Sequence, residues 1–216
     1  MRRRAAGTAR ERSLLARGVR RVAGVDEVGR GCLAGPVFAA AVVLDPRRPV
    51  PGLADSKLLT PARREVLAAR IEERAAAVGV GMADAREIDA LDILRATLLA
   101  MRRAVEALSV KPEYLLVDAL TIPGIDLPQQ GIVRGDRLCA SIAAASIVAK
   151  VRRDALMRRM HDSWPAYRFD TNKGYGTRDH LEALRSHGAS PLHRLTFRGV
   201  LPEAQLALPG FADGRS

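Results

Sequence analysis

The sequence has few cysteines and no long apolar run, and both absences narrow the kinds of protein it can encode. Only two cysteines, Cys32 and Cys139, occur in 216 residues, which is too few for a disulfide framework. No stretch approaches the ~18 apolar residues that a membrane-spanning helix needs. The N-terminus lacks the apolar core of a secretory signal. We therefore expect a reducing, cytoplasmic compartment and no membrane association.

The chain also lacks internal repeats and any long linker between two apolar regions. We expect one catalytic domain over residues 21–198. A basic, disordered arm of residues 1–20 would precede it, and an irregular tail of residues 199–216 would follow. A monomer is the simplest expectation for such a chain.

Positive charge is abundant and widely spread. Lysine and arginine number 35 against 24 acidic residues, which gives a formal net charge of +11. Such an excess favours a polyanionic partner, of which nucleic acid is the commonest. Solubility combined with an arginine-rich composition would produce the same excess, so charge alone does not decide.

Apolar periodicity predicts an α/β protein with a mixed sheet. Thr60 and Pro61 are typical of a helix start, and Asp136 is expected to cap a long helix that runs to about residue 160. The predicted strands cover residues 21–28, 36–44, 76–83, 114–117 and 131–133, and the predicted helices cover residues 61–75, 87–108, 136–160 and 178–186.

Three acids lie within or at the end of predicted apolar strands. Asp26 and Glu27 belong to the first strand, and Asp118 ends the run Tyr-Leu-Leu-Val. Burying such acids is costly unless they are paired or bind a cation. Acids at strand ends gather in the crevice where α/β proteins bind ligands, and hard cations prefer oxygen ligands. These acids thus indicate a Mg²⁺ or Mn²⁺ site, unless Asp118 caps a loop and Glu27 forms a surface ion pair.

Asp26 and Glu27 are not equivalent on a regular strand, because successive side chains point to opposite faces. Either the strand bulges or ends there, or one of the two acids does not bind the metal directly. Asp26 is the first choice as a ligand.

Asp136 and Asp154 compete for a further place in the site. On one helix, 18 residues would separate them by roughly 27 Å, so they cannot both serve one metal centre. Lys150 precedes Asp154 by four residues, a spacing that favours a structural ion pair. Asp136 is therefore preferred.

Several ordered segments resemble the ribonuclease HII family. Their order and spacing extend over about residues 22–198, which makes the resemblance far more specific than one short motif. The segments are GVDEVGRGCLAGP (24–36), DSK (55–57), EID (87–89), LLVDA (115–119), GD (135–136), SIAAASIVAKVRRD (141–154), NKGYGT (172–177) and HRLTF (193–197).

The resemblance implies an RNase H-like fold, with a mixed five-stranded sheet flanked by helices and a C-terminal helical portion. It implies an endoribonuclease that cuts the RNA strand of RNA–DNA hybrids and cuts 5′ of single ribonucleotides in duplex DNA. Two-metal-ion hydrolysis would leave 5′-phosphate and 3′-hydroxyl ends. The family's catalytic, metal-binding acids fall on Asp26, Glu27, Asp118 and Asp136, with Mn²⁺ or Mg²⁺ as cofactor.

The resemblance also implies how substrate is recognised. Gly29, Arg30 and Gly31 match an element whose backbone approaches the 2′-hydroxyl, the group that distinguishes RNA from DNA. Tyr175 matches a tyrosine that packs at the junction between ribose and deoxyribose. Candidates for phosphate contacts are Lys57, Lys173 and Arg194.

Two further features depart from or extend the family pattern. The family usually has glycine after its third acid, where this chain has Ala119, and a methyl group there could narrow the strand end. In the tail, Gln205 to Leu208 followed by Phe211 resembles short peptides that bind sliding clamps. We treat clamp binding as a hypothesis.

Two other functions fit parts of the sequence. A hybrid-binding protein without catalysis would gain nothing from acids placed beside phosphates. A resolvase or integrase of the same fold would share the acids. The Gly-Arg-Gly element and Tyr175 suit junction reading, and so they count against four-way DNA.

Overall fold

The computed structural model describes residues 6–201. Its centre is a mixed five-stranded sheet with strand order β3-β2-β1-β4-β5. β1 pairs antiparallel with β2 and parallel with β4, β2 pairs antiparallel with β3, and β4 pairs parallel with β5. The strands are β1 (Val22–Val28), β2 (Val37–Val43), β3 (Ala77–Ala83), β4 (Tyr114–Asp118) and β5 (Gln129–Ile132).

Helices cover both faces of this sheet, as the sequence predicts. None of the helices within residues 6–201 is both long and apolar enough to cross a membrane. The helices are α1 (Ala9–Ala16), α2 (Pro61–Arg74), α3 (Ala85–Leu91), α4 (Ile93–Glu106), α5 (Gly135–Leu138), α6 (Ala140–Ser163), α7 (Phe169–Asn172) and α8 (Arg178–His187), with 3₁₀ turns at Ser56–Leu58 and Pro165–Tyr167.

Successive side chains of β2 point to opposite faces of the sheet and pack into two separate layers of the core. Ala39 and Ala41 pack with α4, whereas Ala40 and Val42 pack with α2 and α6. β2 is buried over its whole length, which explains its nearly continuous apolar sequence. At Gly24 of β1, an added Cβ would lie 2.1 Å from the carbonyl carbon of Ser141. Glycine therefore allows α6 to lie directly against β1.

The predicted helix over residues 87–108 is two helices. Asp92 has a φ of 77° and separates α3 from α4, and its carboxylate accepts the Arg95 N–H at 2.9 Å. α3 begins with a capping box formed by Asp84 and Glu87. Leu94, in the first turn of α4, is 44% exposed, so the buried face of α4 consists of other residues.

The predicted helix from Asp136 to residue 160 is also divided. Cys139 has extended backbone angles between α5 and α6. Asp136 is not a helix cap, since it lies in the first turn of α5 and Arg134 holds the cap position with a φ of 57°. The physical reason is local: Asp118 binds the Gly135 N–H at 2.7 Å, which fixes the start of α5 against β4.

The expectation of a disordered N-terminal arm is wrong for residues 6–20. Gly7 accepts the Ala140 N–H at 2.8 Å, and Leu14 is buried beneath α1. One carboxylate oxygen of Glu11 accepts both the N–H and the hydroxyl of Ser141, at 2.9 and 2.8 Å. α1 thus caps the start of α6 through a side chain 130 positions away.

The C-terminal portion is helical and has its own small core. Tyr167 and Phe169 stack with ring centroids 5.5 Å apart, and the buried rings of His180 and His193 meet at 2.9 Å between their Nε2 atoms. Val200 is buried in the same cluster, so packing continues slightly beyond the predicted boundary at residue 198. The clamp-like segment 205–211 lies outside the described residues.

Candidate metal centre and nucleic-acid cleft

Asp26 and Asp118 meet because β1 and β4 run parallel and each acid directly follows the last residue paired between the two strands. Val25 pairs with Val117, so the residue after each valine lies on the same face of the sheet. Val25 and Val117 pack with α4, and the two acids therefore face α6. The prediction that strand-end acids converge is confirmed for this pair.

Glu27 joins them although it belongs to the opposite face of β1. The pairing of β1 with β2 stays regular through Val28, so the strand does not bulge. Pairing with β4, however, stops at Val25, which leaves the β4 side of Glu27 open. One carboxylate oxygen from each of Asp26, Glu27 and Asp118 lies within 4.8 Å of the others.

The charge of this acid triad (Asp26, Glu27 and Asp118) is only partly compensated by nearby cations. Burial raises the pKa of Asp26 well above its ordinary value, and the charges of Glu27 and Asp118 raise it further. Burial also raises the pKa of Glu27, against the opposing effect of Arg30, and burial raises that of Asp118. Buried like charges shift pKa values in this direction.

The triad fits a divalent cation. Glu27 Oε2 is buried and has no hydrogen-bond partner among residues 6–201, and such an atom is costly unless something else binds it. The three side chains offer only carboxylate oxygens, the donors that Mg²⁺ and Mn²⁺ prefer. These residues can therefore hold metal without help from histidine or cysteine.

Asp136 lies in the same cleft but outside the triad. It is carried by α5, and burial raises its pKa, as do the charges of Asp55 and Asp118. Asp154 is engaged elsewhere, because its carboxylate binds Lys150 Nζ at 2.7 Å. The structural ion pair expected for Asp154 is thus present, and Asp136 is the acid that faces the triad.

The cleft itself is open and lined by both signs of charge. Its volume is about 120 Å³, and its basic side chains are Lys57, Arg64 and Lys150. Sequence reasoning did not assign Ser56, Ser146 or Lys150 to the site. Ser146 and Lys150 are four residues apart, and this spacing alone places them on one face of a predicted helix. The lining residues are Asp26, Glu27, Val28, Ser56, Lys57, Arg64, Asp118, Asp136, Ser146, Lys150 and Tyr175.

The two glycines of the Gly-Arg-Gly element have different roles. Gly29 has a φ of +95°, and an added Cβ would lie 2.2 Å from Nε of Arg153. Gly31 is exposed, and nothing lies within 4 Å of an added Cβ. The exposed Arg30 forms an ion pair, at 3.6 Å, with the largely buried carboxylate of Glu27. Only Gly29 is therefore demanded by the fold, and the Gly31 backbone is open to a ligand.

The prediction that Arg194 contacts phosphate is wrong. Its side chain is 0% exposed, and its guanidinium donates to the carbonyls of Gly29, Arg30 and Gly35 at 2.7–3.0 Å. Burial lowers its pKa to about 10. Arg194 supports the Gly-Arg-Gly turn from beneath, a role that its polar sequence context does not reveal.

Tyr175 and Lys173 occupy the loop on the other side of the cleft. Tyr175 is 41% exposed, and Lys150 Nζ lies 5.6 Å from its ring centre. Lys173 has a φ of 52°, and its ammonium donates to the carbonyl of Asp170. Burial lowers the pKa of Lys173. Tyr175 thus lines the cleft, while Lys173 is turned toward its own loop.

The backbone conformation at Ala119 explains why glycine suits this position. It follows Asp118 directly and has a φ of 53°, a conformation that costs an alanine roughly 1–2 kcal/mol and glycine little. The residue is exposed, so its methyl group does not crowd the triad.

Comparison with known proteins gives a consistent set of relatives. A family model described as Ribonuclease HII matches residues 23–200. A Ribonuclease HII of Desulfitobacterium hafniense is 55% identical over 190 residues, covering 88% of this chain and 73% of that protein. A Ribonuclease HII of Geobacillus kaustophilus is 54% identical over the same shares.

Solved structures give the same result for the fold. The ribonuclease H2 of Pyrococcus horikoshii OT3 aligns with a TM-score of 0.71 at 26% identity, covering 84% of this chain and 95% of that chain. The RNase HII of Archaeoglobus fulgidus, solved in a PCNA:RNase HII complex, aligns with a TM-score of 0.67 at 26% identity, covering 81% and 92%. The expected RNase H-like architecture is thereby confirmed.

Replacing Asp26 should stabilise the metal-free protein. In the folded chain the raised pKa means that ionised Asp26 opposes folding at high pH, and this penalty disappears as pH falls through that pKa. Asp26→Asn removes it, so at about pH 8 in EDTA we expect a gain on the order of 1 kcal/mol, or about 2–4 °C in Tm.

The gain should shrink as the pH is lowered, because the wild-type carboxyl, with its raised pKa, then takes up a proton itself. Asp126→Asn, at an exposed loop position, is the matched control and should leave Tm unchanged. Calorimetric unfolding with and without Mn²⁺ measures both effects. A lower Tm for Asp26→Asn in EDTA would contradict the proposed charge repulsion.

Proposed function

Because this chain belongs to the ribonuclease HII family, we propose that it cuts 5′ of single ribonucleotides embedded in duplex DNA. The family assignment makes it a ribonuclease H, a hydrolase that acts on the RNA of RNA–DNA hybrids and depends on divalent metal. The observation that carries the finer proposal is the acid triad, with a buried unpartnered oxygen on Glu27, beside an exposed glycine backbone at Gly31.

The side chains divide the chemistry as follows. Asp26, Glu27 and Asp118 hold metal through carboxylate oxygens, and Asp136 completes the set from α5. A pair of divalent cations held there would supply an activated water and charge neutralisation at the leaving 3′ oxygen, a chemistry that would give 5′-phosphate and 3′-hydroxyl ends. Lys57 and Lys150 place positive charge beside the scissile phosphate.

Substrate selection arises at the rim of the cleft. The backbone of Gly31 accepts or donates a hydrogen bond to the 2′-hydroxyl, and Tyr175 packs on the sugar that follows. Arg30, exposed and paired with Glu27, contacts the adjoining phosphate. Residues 21–198 provide all of these groups, and we infer that they act as one catalytic domain.

A duplex with one embedded ribonucleotide tests the proposal directly. With Mn²⁺ or Mg²⁺, wild type should nick on the 5′ side of the ribonucleotide and leave a 3′-hydroxyl. Asp26→Asn should cut at least about 100-fold more slowly, since a metal ligand contributes several kcal/mol to the barrier. Asp126→Asn should cut normally. Absence of nicking by wild type, or full activity of Asp26→Asn, would refute the mechanism.

The two glycines allow fold and recognition to be separated. Gly31→Ala should leave Tm within about a degree, since nothing opposes the added methyl. It should weaken binding to a hybrid by roughly fivefold more than binding to all-DNA duplex, because the methyl group holds the sugar away from the backbone and only ribose has a 2′-hydroxyl whose hydrogen bond is then lost.

Gly29→Ala, the matched control for strain, should lower Tm because of its positive φ and its contact with Arg153. Titrations with fluorescent duplexes give the two affinities. Equal losses of affinity for hybrid and for DNA after Gly31→Ala would show that the Gly31 backbone does not recognise the 2′-hydroxyl.

We also propose that the tail binds a sliding clamp through residues 205–211. The support is the sequence from Gln205 to Phe211 and the solved PCNA complex of the Archaeoglobus relative. Deleting residues 203–216 should abolish capture of the enzyme by an immobilised clamp while leaving Tm and cleavage of free hybrid within about twofold. Undiminished capture would end this proposal.

A further inference from the structure

A short turn contacts residues on both sides of the cleft, Arg137 through Asp55 and Ser146 through Ser56. This 55–57 turn lies between β2 and α2, and Asp55 within it is 2% exposed. One oxygen of Asp55 accepts the Lys57 N–H at 2.9 Å and closes the turn. The other oxygen meets Nε and Nη2 of Arg137, each at 3.0 Å. The turn is thereby tied to a residue 82 positions away.

The contact between Asp55 and Arg137 links the turn to α5, the helix that carries Asp136. Arg137 is the next residue of α5, a helix of four residues in which only Gly135 is buried. The Gly135 N–H is held by Asp118 at 2.7 Å, and Leu138 at the other end is 49% exposed. With so little buried surface, the direction of Asp136 depends on the pairing of its neighbour Arg137 with Asp55.

The same turn reaches the opposite side of the cleft through Ser56. The hydroxyls of Ser56 and Ser146 are buried and lie 2.9 Å apart. Ser146 lines the cleft together with Asp26, and its hydroxyl lowers the pKa of that acid. Lys57, the third residue of the turn, lines the cleft itself.

We propose that Asp55 is a positioning residue for the hydrolytic reaction and acts through Arg137 to hold Asp136 toward the triad. This inference rests on the proposed function, in which Asp136 belongs to the catalytic acids. It differs from a role for Asp55 as a metal ligand, because a ligand would not need Arg137. It also predicts a loss in turnover without a loss in substrate binding.

The test compares Asp55→Asn, Arg137→Met and the double variant with Arg178→Met. The control removes an exposed arginine that is also ion-paired, with Glu182 at 2.9 Å, but lies far along the chain on α8. Each single variant should lower kcat on an RNA–DNA hybrid about tenfold, as outer partners of site residues do. KM should stay within about twofold, since the tie does not contact substrate.

The double variant should be no slower than the slower single variant, because both changes break one link. Arg137→Lys should recover part of kcat, while Arg178→Met should match wild type. Hydrogen exchange of residues 134–139 in the metal-free protein should quicken in both single variants and not in the control. This readout does not depend on activity or on metal.

Several results would overturn the inference. They are additive losses in the double variant, normal kcat for Arg137→Met, unchanged exchange at residues 134–139, or a change in KM alone. Asp55 is buried and its variant can lose stability, but Arg137 is 54% exposed, so Arg137→Met keeps the test decisive. If wild type cut no hybrid, the proposed function would fail, whereas the exchange experiment would still test the link between Asp55 and Arg137.

Discussion

The parallel register of β1 and β4 is the constraint on which the site depends. Pairing Val25 with Val117 forces Asp26 and Asp118 to the same face at the same sheet end, and the early end of that pairing admits Glu27. The chain therefore accepts a buried like-charge cluster, whose cost appears as raised pKa values for all three acids. Such a cluster is stable in a fold only where the surroundings prevent it from separating.

Backbone N–H groups and neutral hydroxyl groups provide most of the contacts that hold these acids in place. Asp118 is held by the Gly135 N–H and Asp26 by the Glu27 N–H, at 2.7 and 2.8 Å. Cations close to the triad are few: Arg30 lies 3.6 Å from Glu27, and Lys150 is already bound to Asp154. The protein thus orients the acids without fully neutralising them, an arrangement that suits a divalent cation.

Sequence reasoning recovered the strands, the sheet class and the convergence of Asp26 with Asp118, since alternation and strand ends follow from local pattern. It missed the breaks at Asp92 and Cys139, because a single residue outside the helix leaves the apolar spacing nearly intact. It also misjudged Arg194, because burial of a charged side chain depends on carbonyls distant in sequence. Glu27 could be placed only once the pairing partner of β1 was known.

Two buried arginines explain how the recognition loops acquire a fixed relation to the acids. Arg194 binds the carbonyls of Gly29, Arg30 and Gly35, while Arg153 binds those of Ala34, Pro36 and Lys173. Arg153 belongs to α6, the helix that also carries Ser146 beside Asp26. A guanidinium with several donors is suited to such burial. α6 is therefore joined to the Tyr175 loop and to the segment that follows the Gly-Arg-Gly turn, and Arg194 joins that turn to the same segment. In the proposed function, the groups that would read the sugar are thus held in a fixed position relative to the acids.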